Sequence, residues 1–279
     1  MTFDETTPVT VGEMTFDVRF AGPEDGTPVV LLHGFPETSL SWSAVTPLLT
    51  AAGLRVIAPD QRGYSPGARP LDVADYATDV LADDVVAIAD AIGLGSFHLV
   101  GHDWGAAVAW VAAANHADRL SSLTAVSVPH LAPYGAAVAG DPDQQQRASY
   151  IGVFRKEGKA EDLLLENEGK RLLAMYGDGV PADQAAAYLA HLSEPGALTA
   201  ALNWYRAMHA DLASLPAVTV PTTYVWSDQD LAIGRVPAER CGDFVNADYR
   251  FVELNGVTHW IPEQAPDALA EAIISRVLS

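Results

Sequence analysis

A short β-rich run, Ser96–Val100, passes without a linker into Gly101-His102-Asp103-Trp104-Gly105 and then into a helix of small residues, Ala106–Asn115. A strand that turns straight into a helix, with a glycine two positions either side of one residue, forces that residue onto a sharp turn and exposes its side chain above the sheet. Here that residue is Asp103. Glycine is needed at the flanks because backbone and side chains crowd the turn, and the helix start supplies backbone N–H groups and the positive end of its dipole. A carboxylate in that place is ionised at pH 7 and can attack carbon. Capping the helix is the other role that an Asp takes at such a position.

The rest of the chain supplies the sheet that this junction requires. Strands are predicted at Thr15–Phe20, Pro28–Leu32, Leu54–Ala58 and Leu120–Val128, each bounded by Gly, Pro or Asp. Between Val73 and Ile92 the apolar residues Ala77, Leu81, Val85, Ile88 and Ile92 follow helical spacing. Asp75, Asp79, Asp83, Asp84 and Asp90 read as its solvated outer face. Alternation of strands with helices argues for βα units and a largely parallel sheet. From about Ala132 to Pro216 the pattern is helical throughout. Thr222–Trp226 and Arg250–Leu254 return to strand character, and Ile261–Leu278 closes the chain as a helix. The division that follows is a core over 1–131, a helical insertion over 132–216 and the rest of the core over 217–279.

Composition narrows the function. With 279 residues, 49% of them hydrophobic, the chain can bury a large core. Its 16 Lys+Arg against 36 Asp+Glu leave a net charge of −20, which repels phosphate backbones and anionic membrane surfaces and so argues against nucleic acid and membranes as partners. Cys241 is the sole cysteine, so no intramolecular disulfide and no cysteine zinc site can form. No His-Glu-x-x-His motif is present, and no metal or cofactor is expected. The acidic start of the chain lacks the basic and apolar regions of an export signal, and no apolar run reaches membrane-spanning length. A cytoplasmic protein is expected. Oligomeric state, a homodimer included, is left open.

Three further segments carry chemistry. His33-Gly34-Phe35-Pro36 follows the Pro28–Leu32 strand, where the α/β-hydrolase plan places a loop donating one backbone N–H to an oxyanion hole. The expected donors are the N–H groups of Phe35 and Trp104. His259 lies in the loop between the last strand and the closing helix, and its near-neutral pKa suits general-base work. The acid that orients it should follow the Thr222–Trp226 strand, since this plan runs nucleophile, acid, histidine. Asp228 and Asp230 are both candidates; Asp230, two residues farther on, is favoured, with Asp228 as a turn or capping residue.

With HGFP at 33–36, DQRGYS at 60–65, GHDWG at 101–105 and the late His259, the whole chain resembles the epoxide hydrolase and haloalkane dehalogenase group of α/β-hydrolases. That resemblance implies an α/β-hydrolase fold: a mostly parallel central sheet flanked by helices, with a helical cap inserted before the penultimate strand. It implies hydrolysis of a small-molecule epoxide to a vicinal diol through an Asp103 ester. Leu202-Asn203-Trp204-Tyr205-Arg206 and Tyr150-Ile151-Gly152-Val153-Phe154 resemble the cap segments that carry the paired epoxide-binding tyrosines, which gives Tyr205 and Tyr150. The substrate pocket is expected to draw on His33, Pro36, Phe154, Trp204 and Trp260. A haloalkane or haloacid dehalogenase using the same Asp is the alternative. Phe35 stands where haloalkane dehalogenases usually carry a polar residue, and Trp104 where fluoroacetate-type enzymes carry Arg. A non-catalytic binding protein of this fold is less favoured, because every triad position is filled.

Overall fold

The apolar runs predicted as inner strands are buried along nearly their whole length, as strands covered on both faces must be. They form the middle of an eight-stranded sheet built from β1 (Thr6–Val11), β2 (Met14–Ala21), β3 (Thr27–Leu32), β4 (Leu54–Pro59), β5 (Phe97–His102), β6 (Leu120–Val126), β7 (Thr222–Gln229) and β8 (Tyr249–Thr258). The order is β1-β2-β4-β3-β5-β6-β7-β8. Pairing is antiparallel for β1/β2 and β2/β4 and parallel elsewhere. The computed structural model describes residues 3, 5–209 and 213–279. Positions 1, 2 and 4 of the acidic N-terminal stretch, and 210–212 of the expected helical insertion, lie outside them.

Sequence reasoning missed β1, a mostly exposed edge strand that buries little besides Val9 and is held by pairing with β2. Chain order reverses between β3 and β5: β4 follows β3 on one side, and β5 and β6 follow on the other. At such a switch point the loops leave the carboxyl ends of neighbouring strands in opposite directions and open a crevice. The loop 33–38 and the Asp103 junction both sit there. The helix Trp104–Asn115 is buried on nearly every side, which explains its small residues. Between β6 and β7, helices run from Leu131 to Arg206. They are tied over the strand ends by Trp204 Nε1, donating to the Arg62 carbonyl at 2.9 Å, and by the Tyr176 hydroxyl, donating to the Pro36 carbonyl at 2.7 Å. Among the described residues no helix is long and apolar enough to cross a membrane.

Three expectations change. The stretch 73–92 is a short 3₁₀ turn, Val73–Tyr76, and then a helix, Thr78–Ala91, separated by Ala77 in extended conformation. The closing helix splits into Ile261–Gln264 and Pro266–Val277, because a proline disfavours helical geometry in the residue before it, here Ala265. Asp84 does not face solvent. It is three residues past Leu81 and four before Ile88, so helical geometry places it on the buried stripe. Its two carboxylate oxygens accept from Arg62 Nε and Nη2, each at 2.7 Å.

Removing one partner of a buried pair strands the other charge, at a cost of about 3–5 kcal/mol. Asp84→Ala should therefore destabilise the fold by that amount in urea titration, whereas Asp79→Ala on the exposed face should stay within about 0.5 kcal/mol. Equal effects of the two substitutions would overturn the assignment of Arg62–Asp84 as a buried tie.

Candidate active site

The strand-to-helix junction holds Asp103 at φ 52°, ψ −120°, a conformation rare for a residue with a Cβ. Two features keep it there. Its N–H donates to the Val126 carbonyl of the neighbouring strand at 3.2 Å, while its own carbonyl accepts from the N–H groups of Ala106 and Ala107. Gly105 lets the helix start press against β3: a Cβ there would meet the Leu32 carbonyl oxygen at 2.2 Å. The carboxylate is thereby delivered to the crevice, nearly buried, with Oδ1 accepting from the Phe35 N–H at 2.9 Å. Trp104, the second expected donor, is the first residue of the helix and directly follows Asp103.

His259 arrives from the loop after β8. Its Nε2 is 3.4 Å from Asp103 Oδ2, and its Nδ1 is 3.1 Å from each oxygen of Asp230. Asp230 immediately follows β7 and is almost fully buried; Oδ1 also accepts from the N–H groups of Ala232 and Ile233. Asp228 lies inside β7 and points elsewhere, accepting from the Gly256 N–H of β8 at 2.7 Å, so it ties two strands together where a turn or capping role was expected. A further polar layer lies behind the histidine. His102 bridges the His259 carbonyl at 2.8 Å and Glu37 at 3.1 Å, and Glu263 lies close enough to Glu37 for their charges to interact.

Electrostatics follow from these contacts. Burial opposes ionisation of Asp103 and Asp230, but the hydrogen bonds and charge of His259 outweigh it and hold both below the ordinary carboxylate range. Burial likewise opposes charge on His259. The two carboxylates prevail and raise its pKa well above the usual value. At neutral pH the resting site is therefore an imidazolium between two carboxylates, with Asp103 ionised. Glu263 is pushed far up by burial and by Glu37, whereas Glu37 stays low despite burial because of His102, so one proton serves that pair.

In front of Asp103 is a narrow cavity of about 40 Å³. Its walls bring together Trp104, Tyr150 and Tyr205 with apolar side chains such as Leu131, Ile151 and Ile233. The phenol rings of Tyr150 and Tyr205 lie 6.2 Å apart, nearly perpendicular, and the Trp104 ring packs edge-on against Tyr205 at 5.1 Å. Burial pushes both phenols far above their usual pKa, so both keep their protons. A wider groove of about 560 Å³ between β1, β2 and the end of the Thr78–Ala91 helix contains none of these groups.

Five residues expected in the pocket do not line this cavity. His33 is fully buried, Nδ1–H donating to the Gly34 carbonyl and Nε2 accepting from the Gln61 N–H, so it clamps two loops together. Pro36 receives Tyr176, and Trp204 packs edge-on behind Trp104. Phe154 backs Phe35, Tyr150 and Tyr205, and Trp260 packs on His259 and Tyr176. Two residues went unread: Tyr134, on the cavity wall, and Ser127, against Asp230. Reading β6 through to Val128 concealed the second. The strand stops at Val126, and Pro129 just beyond was the available signal.

Residues 27–266 match the α/β-hydrolase fold family. The AB hydrolase superfamily protein YfhM of Bacillus subtilis is 35% identical over 274 residues, covering 95% of each chain. Epoxide hydrolase A of Mycobacterium tuberculosis is 32% identical, covering 90% of each. Among solved structures, an epoxide hydrolase from metagenomes of hot environments superposes with a TM-score of 0.88 at 30% identity, covering 100% of this chain and 99% of that one.

Gly34 offers a test of how tightly the carboxylate is held, since a Cβ there would meet Asp103 Cβ at 2.3 Å and Oδ1 at 2.4 Å. Relief requires moving the loop or the junction, so Gly34→Ala should cost about 1–3 kcal/mol and lower the melting temperature by several degrees in scanning calorimetry. Gly95→Ala, with open space around it, is the control expected to leave the melting temperature in place. An unchanged melting temperature for Gly34→Ala would mean that the junction is slack.

Proposed function

The chain belongs to the α/β-hydrolase family, and we propose that within it this protein hydrolyses an epoxide to a vicinal diol through an ester on Asp103. The observation that carries this reading is an ionised carboxylate facing two protonated phenols across a narrow apolar cavity. A strained ether has one electrophilic carbon and one basic oxygen, and these groups address both at once. Asp103 Oδ2 attacks the carbon while the C–O bond breaks and Tyr150 or Tyr205 protonates the leaving oxygen. Oδ1 becomes the ester carbonyl, already seated on the Phe35 N–H.

The proton balance follows from the charges. While Asp103 is an anion it helps to hold His259 protonated. Esterification removes that charge, so the histidine loses its proton, which replaces the one taken up by the ring oxygen. Neutral His259, oriented by Asp230, then draws a proton from water, whose oxygen attacks Asp103 Cγ. The N–H groups of Phe35 and Trp104 hold the resulting oxyanion. Collapse breaks the Cγ–Oδ2 bond, His259 protonates the departing oxygen, and the diol leaves with an oxygen that began on Asp103.

Among the described residues the cavity wall bears no Lys, Arg or His, so an uncharged substrate suits it better than an acid. A dehalogenase with the same nucleophile has less support. A halide leaves without taking up a proton, so protonated phenols facing Asp103 serve a departing ring oxygen and not a halide.

Two predictions follow from this mechanism. His259→Gln should form the ester but not hydrolyse it, leaving one substrate mass on the intact protein by mass spectrometry, while the Tyr150→Phe/Tyr205→Phe double variant should slow ester formation by about 10²–10⁴-fold. Normal diol production by either variant would refute the roles assigned here. Asp103→Asn, which removes a charge that raises the His259 pKa, should move the imidazole titration to lower pH in NMR. A midpoint that stayed in place would mean that the proposed charge switch does not operate.

A further inference from the structure

β6 ends at Val126, and the next residue turns into left-handed backbone: Ser127 has φ +68°. A residue with a Cβ resists that conformation, whereas glycine adopts it freely. Ser127 is nevertheless held there on three sides. Its N–H donates to the Val225 carbonyl at 2.8 Å, its carbonyl accepts from the Tyr224 hydroxyl at 2.6 Å, and the Val128 N–H closes on Val126 at 2.9 Å. The result is a fully buried hydroxyl placed 2.7 Å from Asp230 Oδ2 and 3.1 Å from His259 Nδ1. A glycine would fit the backbone with less strain, so the side chain itself asks for an explanation.

The two oxygens of Asp230 are treated differently. Oδ1 accepts from the backbone N–H groups of Ala232 and Ile233, while Oδ2 takes the Ser127 hydroxyl, and His259 Nδ1 lies across both. We propose that Ser127 is a positioning residue of the hydrolytic half-reaction, its hydroxyl donating to Asp230 Oδ2 and so holding the carboxylate plane that aims His259 Nε2 at water. The inference rests on the reading of His259 as the base that hydrolyses the Asp103 ester. Each Asp230 oxygen then has its own donor. The carboxylate cannot rotate away from the imidazole, and its basicity is damped, so the shared proton stays on Nδ1. Without the hydroxyl, Oδ2 becomes the stronger acceptor and draws more on the imidazolium, which raises the pH at which His259 gives up its proton.

Among the described residues, the other ionisable groups around this pair include Asp103 from the junction, His102 from the end of β5, Glu37 from the loop after β3, the phenols of Tyr134, Tyr150 and Tyr224, which stay protonated, and Arg147, whose guanidinium donates to the Asp230 carbonyl. None is altered by a change at Ser127, so a shifted midpoint reports on the hydroxyl.

The test compares Ser127→Gly, which removes the hydroxyl and relaxes the backbone, with Ser127→Ala, which removes the hydroxyl and keeps the strain. In both, the His259 midpoint, followed by ¹H–¹⁵N NMR of the imidazole, should rise by on the order of half a unit. With an epoxide, single-turnover ester formation should stay within about twofold, and ester hydrolysis should fall by about tenfold, the size expected for losing a hydrogen bond to a charged group. Strain relief in Ser127→Gly opposes the loss of the buried hydrogen bond, and circular dichroism of both variants at the assay temperature separates slower hydrolysis from misfolding. Ser127→Gly with an unmoved midpoint and undiminished hydrolysis would overturn the proposal. A raised midpoint in a protein whose parent form never makes an epoxide adduct would uphold the Ser127–Asp230–His259 coupling and overturn the epoxide reading instead.

Discussion

A single imidazolium between two nearly buried carboxylates, Asp103 and Asp230, is the interaction around which the molecule is arranged. Taking three charges out of water is costly, and mutual attraction offsets that cost only where geometry is close and the remaining lone pairs are satisfied. The fold meets both conditions with donors from four places: the Phe35 N–H, the Ala232 and Ile233 N–H groups, the Ser127 hydroxyl and the histidine itself. Much of the unusual backbone nearby answers to the same need, since Asp103 and Ser127 both occupy positive φ in order to turn their side chains toward one point.

That point exists because the sheet changes direction between β3 and β5. Neither strand alone could assemble the site. β3 ends in the loop that carries Phe35, β5 ends in Asp103, β6 in Ser127, β7 leads to Asp230, and the loop after β8 brings His259. Parallel strands put all five carboxyl ends on one side of the sheet, where distant stretches of chain meet. The helices between β6 and β7 then cover that side, tied down by Trp204 and Tyr176, and supply the phenols from two separate segments. The resulting wall is largely apolar, which strengthens the charge interactions in front of Asp103, and burial keeps both phenols protonated.

How far the sequence could be read depends on how local each signal was. The junction at Asp103, the strands and the order of nucleophile, acid and histidine were legible because they rest on nearest-neighbour sterics, periodicity and chain order. The favoured place of the acid was also readable from order, but what separates Asp230 from Asp228 is the end of β7 at Gln229, between them. It sends one carboxylate to His259 and the other to the Gly256 N–H. Asp84 was misplaced because its residue type outweighed its helical position, although its spacing from Leu81 and Ile88 already placed it inside. The pocket residues were the least legible. His33, Pro36, Phe154, Trp204 and Trp260 are near the site in sequence motifs, yet they support its walls from behind.

By itself, then, the sequence determined the class of fold and the chain order that brings Asp103, Asp230 and His259 to neighbouring strand ends. Only the tertiary structure decided which faces line the cavity, that Ser127 stands against Asp230, that Asp84 is buried on Arg62, and that three charges share one proton-transfer line. The physical reason is that steric, periodic and capping preferences act within a few residues of the chain. The rotation of a helix about its axis and the meeting of loops from β3, β5, β6, β7 and β8 are settled by packing between segments far apart in sequence.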